Sequence, residues 1–340
     1  MIVVATLYEA VGGSSKVLMR AAEALRTEHE VIRRAPLADA DSRMALPLSA
    51  LTLDTWGRKL AALPVLIRLF FREYAFVGKT RPDFIYVHDE PSLYVYGLIG
   101  RLRGVAVVWH VHMREGHGLR RIVRNALCDA KIFVSKFIVA GEQQKPCAVI
   151  ANPVSIGPVV HKSRKSDELV IGLLGSISRL KNQELGLRAL ARLRQQGLAA
   201  RIAIYGNILE EDYKTYLTKL TAELELGDVV EFRNFAPVEH ALAEIDVLLA
   251  CSSYESFGLA VAEALVAGVP VVATDIVAHR EFAGEAQTTA LTICAPEADA
   301  MAAAVLQARP DAAFSTQVRQ TFSGDKFDTA VVAFFRKLVE

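Results

Sequence analysis

The chain has 340 residues, 52% hydrophobic and 23% charged, with a formal net charge of +1 at pH 7. That composition excludes a disordered chain, and a length beyond the ~250–300 residues at which single cores stop growing favours two domains. The neutrality is uneven: residues 1–160 carry 21 Lys and Arg against 14 Asp and Glu, residues 161–340 carry 18 against 24, and the N-terminal half is therefore the one suited to anions.

The opening MIVVATLY has the apolar density of a buried strand and lacks the basic flank of a signal peptide. EAVGGSSK follows as a glycine turn, and KVLMRAAEALRTEHE repeats its apolar residues at helical spacing. Residues 58–76, RKLAALPVLIRLFFREYAF, set Arg58, Lys59, Arg68 and Arg72 among Leu, Ile and Phe. Such a stretch suits a membrane interface or a helix with solvated charges, and Pro64 predicts an interruption in it. DFIYVHD, VAVVWHVH and KIFVS are short strands separated by the helical segments SLYVYGLIGRLRG and LRRIVRNALCDA.

After VIANPV the polar run SIGPVVHKSRKSDE marks a domain boundary, and LVIGLLGS, ARIAIYG, VVEFRNF, DVLLACSS, PVVATD and ALTICA repeat the strand–helix alternation. Two doubly wound α/β domains with parallel sheets are expected, 1–157 and 158–325, with 326–340 as a last helix returning to the first domain. Cys128, Cys147, Cys251 and Cys294 form no C-x-x-C pair, so neither a zinc site nor a disulfide framework is indicated, and a reducing compartment fits. No stretch reaches ~18 uncharged apolar residues, and the basic residues do not interleave with aromatics as nucleic-acid binding requires. A cytoplasmic protein without nucleic-acid partners is expected.

The chemistry concentrates in SSYESFGLAVAEALVAGVPVVATD, residues 252–275. DVLLAC is a strand, SSYES a loop, FGLAVAEALVA a helix stopped by Gly268 and Pro270, and VVAT the next strand. The loop falls at the carboxyl end of a parallel sheet, where open α/β folds bind ligands. Gly258 removes a Cβ from the first helical turn, so that a phosphate can reach the backbone amides. Glu255 and Glu263 flank that position, and a nucleotide sugar suits both features: its diphosphate takes amides and cations, while its hydroxyls donate to carboxylates. The cations stand in LVIGLLGSISRLKNQELGL, where Gly175, Arg179 and Lys181 follow a strand.

These residues resemble the GT-B glycosyltransferases of the family 4 type, in which two Rossmann-like domains face each other across a cleft. The resemblance is most specific in ESFGLAVAEALVAGVPVVATD, and weaker in GSISRLKNQ, AIYGN, HREFAGE and CDAKIFVSKF with VIANPV. It implies that Glu255 binds a donor-sugar hydroxyl, that the backbone of Ser256, Phe257, Gly258 and Leu259 touches sugar and phosphate, and that Glu263 holds the ribose. Lys181, with Arg179 assisting, would neutralise the diphosphate beside Gly175 and Ser176. Gly12 and Gly13 would form a loop near the phosphates, His112 rather than His110 would meet the donor sugar, and the base would lie near residues 232–236, Asn234 among them. Ser176 stands where the family often has arginine, and Asn234 where it usually has glycine.

The expected function is that of a hexosyltransferase, retaining and needing no metal or other cofactor. It would move a sugar from a nucleotide-diphosphate donor to a glycan or lipid-linked acceptor, with membrane contact through 58–76 at the inner face. A sugar-nucleotide epimerase or phosphorylase of the same architecture, and a non-catalytic partner, are the alternatives.

Overall fold

A computed structural model describes residues 1–7, 13–36, 56–114, 118–139, 145–157, 159, 168–284 and 288–340, with side chains at 56–63 outside that description. The chain divides into two compact units, Met1–Asn152 with Asp325–Glu340, and Pro153–Gly324. The division precedes the polar run at which the sequence places it. Ile150 N–H still donates to the Phe133 carbonyl of the first unit, whereas Val154 N–H donates to the Phe322 carbonyl of the second.

The first unit is built on strands β1 (Ile2–Ala5), β2 (Val31–Arg34), β3 (Phe84–Val87), β4 (Ala106–Val111), β5 (Ala130–Phe133) and β6 (Cys147–Val149). They pair in parallel in the order β2-β1-β3-β4-β5-β6. IVVA, FIYV and AKIF are buried at every position, as strands covered on both faces must be. Helix α1 (Gly13–Leu25) and the C-terminal helix Gly324–Val339 share a core with β1, β3 and β4. Phe335 meets Phe84 and Tyr86 edge-on at 5.6 and 5.2 Å, and Arg20 grips Asp328 through two bonds of 2.9 and 2.7 Å.

Helices α2 (Trp56–Thr80), α3 (Glu90–Arg103) and α4 (Leu119–Leu127) pack in sequence, α3 touching both neighbours. Right-handed crossovers carry them over the sheet face opposite α1. Contrary to the interruption expected at Pro64, α2 runs through it without a break. A proline there costs about 3 kcal/mol, which packing of the buried Leu69 and Val77 offsets. Asp89 starts α3 by accepting the Ser92 N–H at 2.8 Å, and left-handed Gly104 ends it.

The second unit alternates β7 (Leu169–Leu174), α5 (Gln183–Gln195), β8 (Ala200–Tyr205), α6 (Glu211–Glu223), β9 (Val230–Arg233), α7 (Val238–Leu242), β10 (Val247–Ala250), α8 (Leu259–Ala267), β11 (Val271–Thr274), α9 (Val277–Ala283) and β12 (Leu291–Cys294). Helices α10 (Ala298–Gln307) and α11 (Ala312–Thr321) complete it. The strands are parallel in the order β12-β11-β10-β7-β8-β9. The chain leaves β7 in one direction and β10 in the other, so these neighbours form the topological switch point, where the loops after two strands diverge and open a crevice.

Candidate active site

Two loops leave the carboxyl ends of β7 and β10. The first begins at Gly175, whose φ of +142° is a conformation that side chains rarely adopt. Its N–H donates to the Tyr205 carbonyl at 2.9 Å, and a bridge between Ile177 and Ile208 ties the loop to the one after β8. Gly206 makes this approach possible, since a Cβ there would lie 2.0 Å from the Gly175 carbonyl oxygen. A Cβ on Gly175 itself would come within 3.3 Å of Lys181 Cε, so the bare glycine leaves the path of the lysine stem open. Gln183 holds the Ser176 carbonyl through a 2.9 Å bond and sets the backbone between them.

The second loop is stapled to the first where Ser253 N–H donates to the Leu180 carbonyl at 3.0 Å. Lys181 Nζ then meets Glu255 Oε1 at 2.5 Å, and the Ser252 hydroxyl donates to the same oxygen at 2.8 Å. The side chains of Lys181 and Glu255 are 26% and 19% exposed, enough for a ligand to reach both. Together with Gln183, Gly258 and the ends of β7 and β10 they line a small cavity. Gly258, left-handed at φ +89°, starts α8 without a side-chain cap, and the first turn of α8 carries no acid. Its leading amides are therefore not engaged by a capping side chain, and the helix dipole favours an anion there.

The remaining expected residues are placed less uniformly. Phe257 is buried against Phe282 and Phe322, with ring centroids at 5.2 and 5.4 Å, so its backbone is the part left for a ligand. Ser256 and Leu259 are half-buried beside it, and Glu263 is half-buried in the second turn of α8. Asn234 is exposed just beyond β9, at the edge of the sheet. Arg179 is not brought to the ion pair. It is 59% exposed and committed to Glu210 at 2.7 Å and Asp212 at 2.6 Å, which hold its guanidinium firmly protonated. Gly13 is the exposed first residue of α1, and Gly12 lies outside the described residues.

His112 belongs to the first unit, just past β4. Its neighbour His110 is fully buried and shares a 2.7 Å hydrogen bond with the Tyr86 hydroxyl, so it serves the core. The rings of His110 and His112 lie 4.4 Å apart, and His88 is 6.1 Å from His112. Burial first, and the nearby histidines second, hold His110 well below the ordinary range and bring His112 down to about 3. Burial also lowers His88, against the pull of Asp89.

All three histidines are therefore neutral near pH 7, which has a measurable consequence. The unfolded chain binds protons from about pH 6.5 downward while the folded histidines stay neutral, so stability falls as the pH drops from there toward the folded values. His112, held near 3, is expected to contribute a slope of about 1.4 kcal/mol per pH unit. Urea unfolding followed by tryptophan fluorescence between pH 6 and 4 measures it, because both Trp56 and Trp109 lie in the first unit. A His112→Leu variant should lose about that much slope; one that keeps all of it would place no depressed group there.

Sequence reasoning missed Ser252, Gly206 and His279. The S-x-x-E spacing from Ser252 to Glu255 was the available signal for the first. His279 is fully buried, its Nδ1 is bonded to the Thr274 carbonyl at 2.8 Å, and burial lowers its affinity for a proton. The Thr274 hydroxyl holds the Ser252 carbonyl at 2.6 Å, so this chain of contacts supports the loop that carries Glu255. Among the described residues, no group of three or more His, Cys, Asp or Glu side chains is placed to hold a metal ion.

Comparison with known proteins bears on the family and the fold. The family described as Glycosyltransferase Family 4 matches residues 11–156, and that described as Glycosyl transferases group 1 matches 160–321. A D-inositol 3-phosphate glycosyltransferase of Stackebrandtia nassauensis is 32% identical over 178 residues, 46% of this chain and 38% of that protein, so this match spans well under half of the relative. A GDP-mannose-dependent alpha-(1-6)-phosphatidylinositol dimannoside mannosyltransferase of Mycobacterium tuberculosis is 27% identical over 84% of this chain and 78% of its own. Among solved structures, Anabaena Alr3699/HepE in complex with UDP-glucose has a TM-score of 0.73 at 19% identity over 99% of both chains. Sucrose-phosphate synthase from Thermosynechococcus elongatus has 0.74 at 17% identity, covering 99% of this chain and 98% of its own. With two parallel-sheet units of GT-B architecture and two family matches that meet near the division between them, the chain belongs to the glycosyltransferases of the family 4, or group 1, type.

Proposed function

We propose that the protein is a retaining, metal-independent hexosyltransferase of polysaccharide biosynthesis, moving a sugar from a nucleotide-diphosphate donor to a glycan or lipid-linked glycan. The observation that supports this reading is the Lys181–Glu255 pair beside the uncapped start of α8 at the switch point. Lys181 and the α8 amides stabilise negative charge as it develops on the departing diphosphate. Glu255, released from the lysine, accepts a hydrogen bond from a donor-sugar hydroxyl, and Glu263 does the same for the ribose. Gly175, Ser176 and the backbone of 256–259 contact the phosphates and sugar, with the base toward Asn234. Arg179 assists once it leaves Glu210 and Asp212.

In this front-face path the bond from the anomeric carbon to the β-phosphate oxygen breaks. The acceptor oxygen bonds to the same face of that carbon, and its proton passes to the departing phosphate oxygen. Membrane contact through 58–76, at the inner face, belongs to the same proposal. Among the described residues no helix is long and apolar enough to cross a membrane.

A melting screen across nucleoside diphosphates and their sugars tests the donor site. The matching compound at about 100 times its Kd should stabilise the folded protein by about 2.7 kcal/mol. A relative named for GDP-mannose and a structural neighbour holding UDP-glucose make guanine and uracil the first bases to try. A flat screen across all of them would sink the proposal. Product analysis with labelled donor separates transfer from epimerisation or phosphorolysis, and recovery of a covalent glycosyl ester on Glu255 of the unmodified protein would refute the front-face path.

A further inference from the structure

Glu255 Oε1 takes two donors, Lys181 Nζ and the Ser252 hydroxyl, and among the described residues the other carboxylate oxygen takes none. The two donors are held differently. Lys181 ends a flexible stem with 26% of its side chain exposed, whereas Ser252 is buried and its backbone is fixed from two sides. The next residue, Ser253, donates its N–H to the Leu180 carbonyl at 3.0 Å, and the Ser252 carbonyl accepts the Thr274 hydroxyl at 2.6 Å. Thr274 ends β11, and its own carbonyl is bonded to His279 Nδ1 at 2.8 Å. Each proton in this series has one direction. A carbonyl only accepts, so Nδ1 carries the proton of the neutral imidazole and the Thr274 hydroxyl must donate; a carboxylate only accepts, so the Ser252 hydroxyl must donate to Glu255. Ser252, Thr274 and His279 are each at most 5% exposed, which shields the series from water.

We propose that Ser252 is a positioning residue for the donor sugar: its hydroxyl holds Glu255 Oε1 while Lys181 turns to the diphosphate, so that Glu255 Oε2 stays aimed at a sugar hydroxyl. The proposal rests on the sugar-transfer reading above and adds what keeps the carboxylate in place when its ion pair opens. Once Lys181 leaves, the Ser252 hydroxyl is the one donor remaining on that oxygen among the described residues. A charge-assisted hydrogen bond from a buried, immobile hydroxyl then sets the rotamer of a side chain otherwise free to swing into solvent. Orientation on this scale matters, because a misplacement of about 1 Å costs up to about 10²-fold in rate. Thr274 and His279 act further back, by fixing the Ser252 carbonyl and with it the direction of the hydroxyl.

Steady-state rates with the nucleotide sugar selected by the melting screen, beside calorimetric titration of its nucleoside diphosphate, test the proposal in a double-mutant cycle. Ser252→Ala is expected to lower turnover about tenfold or more while diphosphate affinity stays within about twofold, since the lysine that faces the diphosphate is unchanged. In a Glu255→Ala background the same change should cost less than about threefold, because Ser252 acts through that carboxylate alone. Thr274→Val, nearly the same shape without the hydroxyl, should repeat the loss of turnover on a smaller scale, and Thr274→Ser should restore it. Equal losses from Ser252→Ala in both backgrounds, or full turnover by the single variant, would overturn the proposal. So would a fall in diphosphate affinity that matches the fall in turnover, the mark of a loop that has merely loosened. Those outcomes leave the sugar-transfer reading standing, whereas a parent protein that turns over no nucleotide sugar would take down that reading and this proposal with it.

Discussion

Replacing Lys181 by methionine is expected to lower turnover of the preferred nucleotide sugar about 10²–10³-fold, the scale observed when one preorganised charge-stabilising donor is removed from an active site. Methionine keeps most of the stem that crosses Gly175 and deletes only the charge. Binding of the nucleoside diphosphate should weaken with it. The structure gives a contrasting variant, because the lysine faces Glu255 at 2.5 Å. Glu255→Gln removes the competitor for that cation, so nucleoside-diphosphate affinity should hold or rise while turnover falls through the lost sugar contact. Calorimetric titration of both variants beside steady-state rates separates the roles. A Lys181→Met enzyme within about threefold of the parent rate would remove the lysine from the chemistry.

Truncating Glu73 to alanine should destabilise the first unit by about 3 kcal/mol, the lower end of what breaking a buried ion network costs. Its fully buried carboxylate accepts two bonds from Arg34, at 2.6 and 3.1 Å, one from Arg72 at 3.1 Å and one from the Tyr96 hydroxyl at 3.0 Å. Removal leaves two guanidinium groups and a phenol without their common partner. Both arginines retain some solvent, at 22% and 34% exposure, which is why the lower end is expected. For a unit of this size the melting midpoint should drop roughly 6–12 °C. Tryptophan fluorescence follows it, since both tryptophans are in this unit. A shift under about 2 °C would mean that water replaces the carboxylate at little cost.

How far the sequence carried the reading differs between the two halves of the site. The strand–glycine–helix segments around Gly175 and Gly258 were legible because a left-handed glycine, an uncapped helix start and a proline stop are local properties of a few consecutive residues. The same holds for the C-terminal helix, whose buried Phe327, Val331, Phe334 and Phe335 repeat at helical spacing. The interruption expected at Pro64 failed for the complementary reason, since packing of distant residues outweighs a local penalty.

The amino-acid sequence by itself determined two α/β halves, the glycine turns and the candidate charges of the donor site. Which charge meets which was decided only by the tertiary structure. Lys181 and Glu255 are 74 residues apart and converge because β7 pairs with β10, while Arg179, two residues from Lys181, turns away to Glu210 and Asp212 beyond β8. Of the neighbouring His110 and His112, full burial and the Tyr86 hydroxyl commit the first to the core. Local backbone preferences are written in neighbouring residues, whereas the pairing of side chains depends on strand order, which is set when the whole core packs.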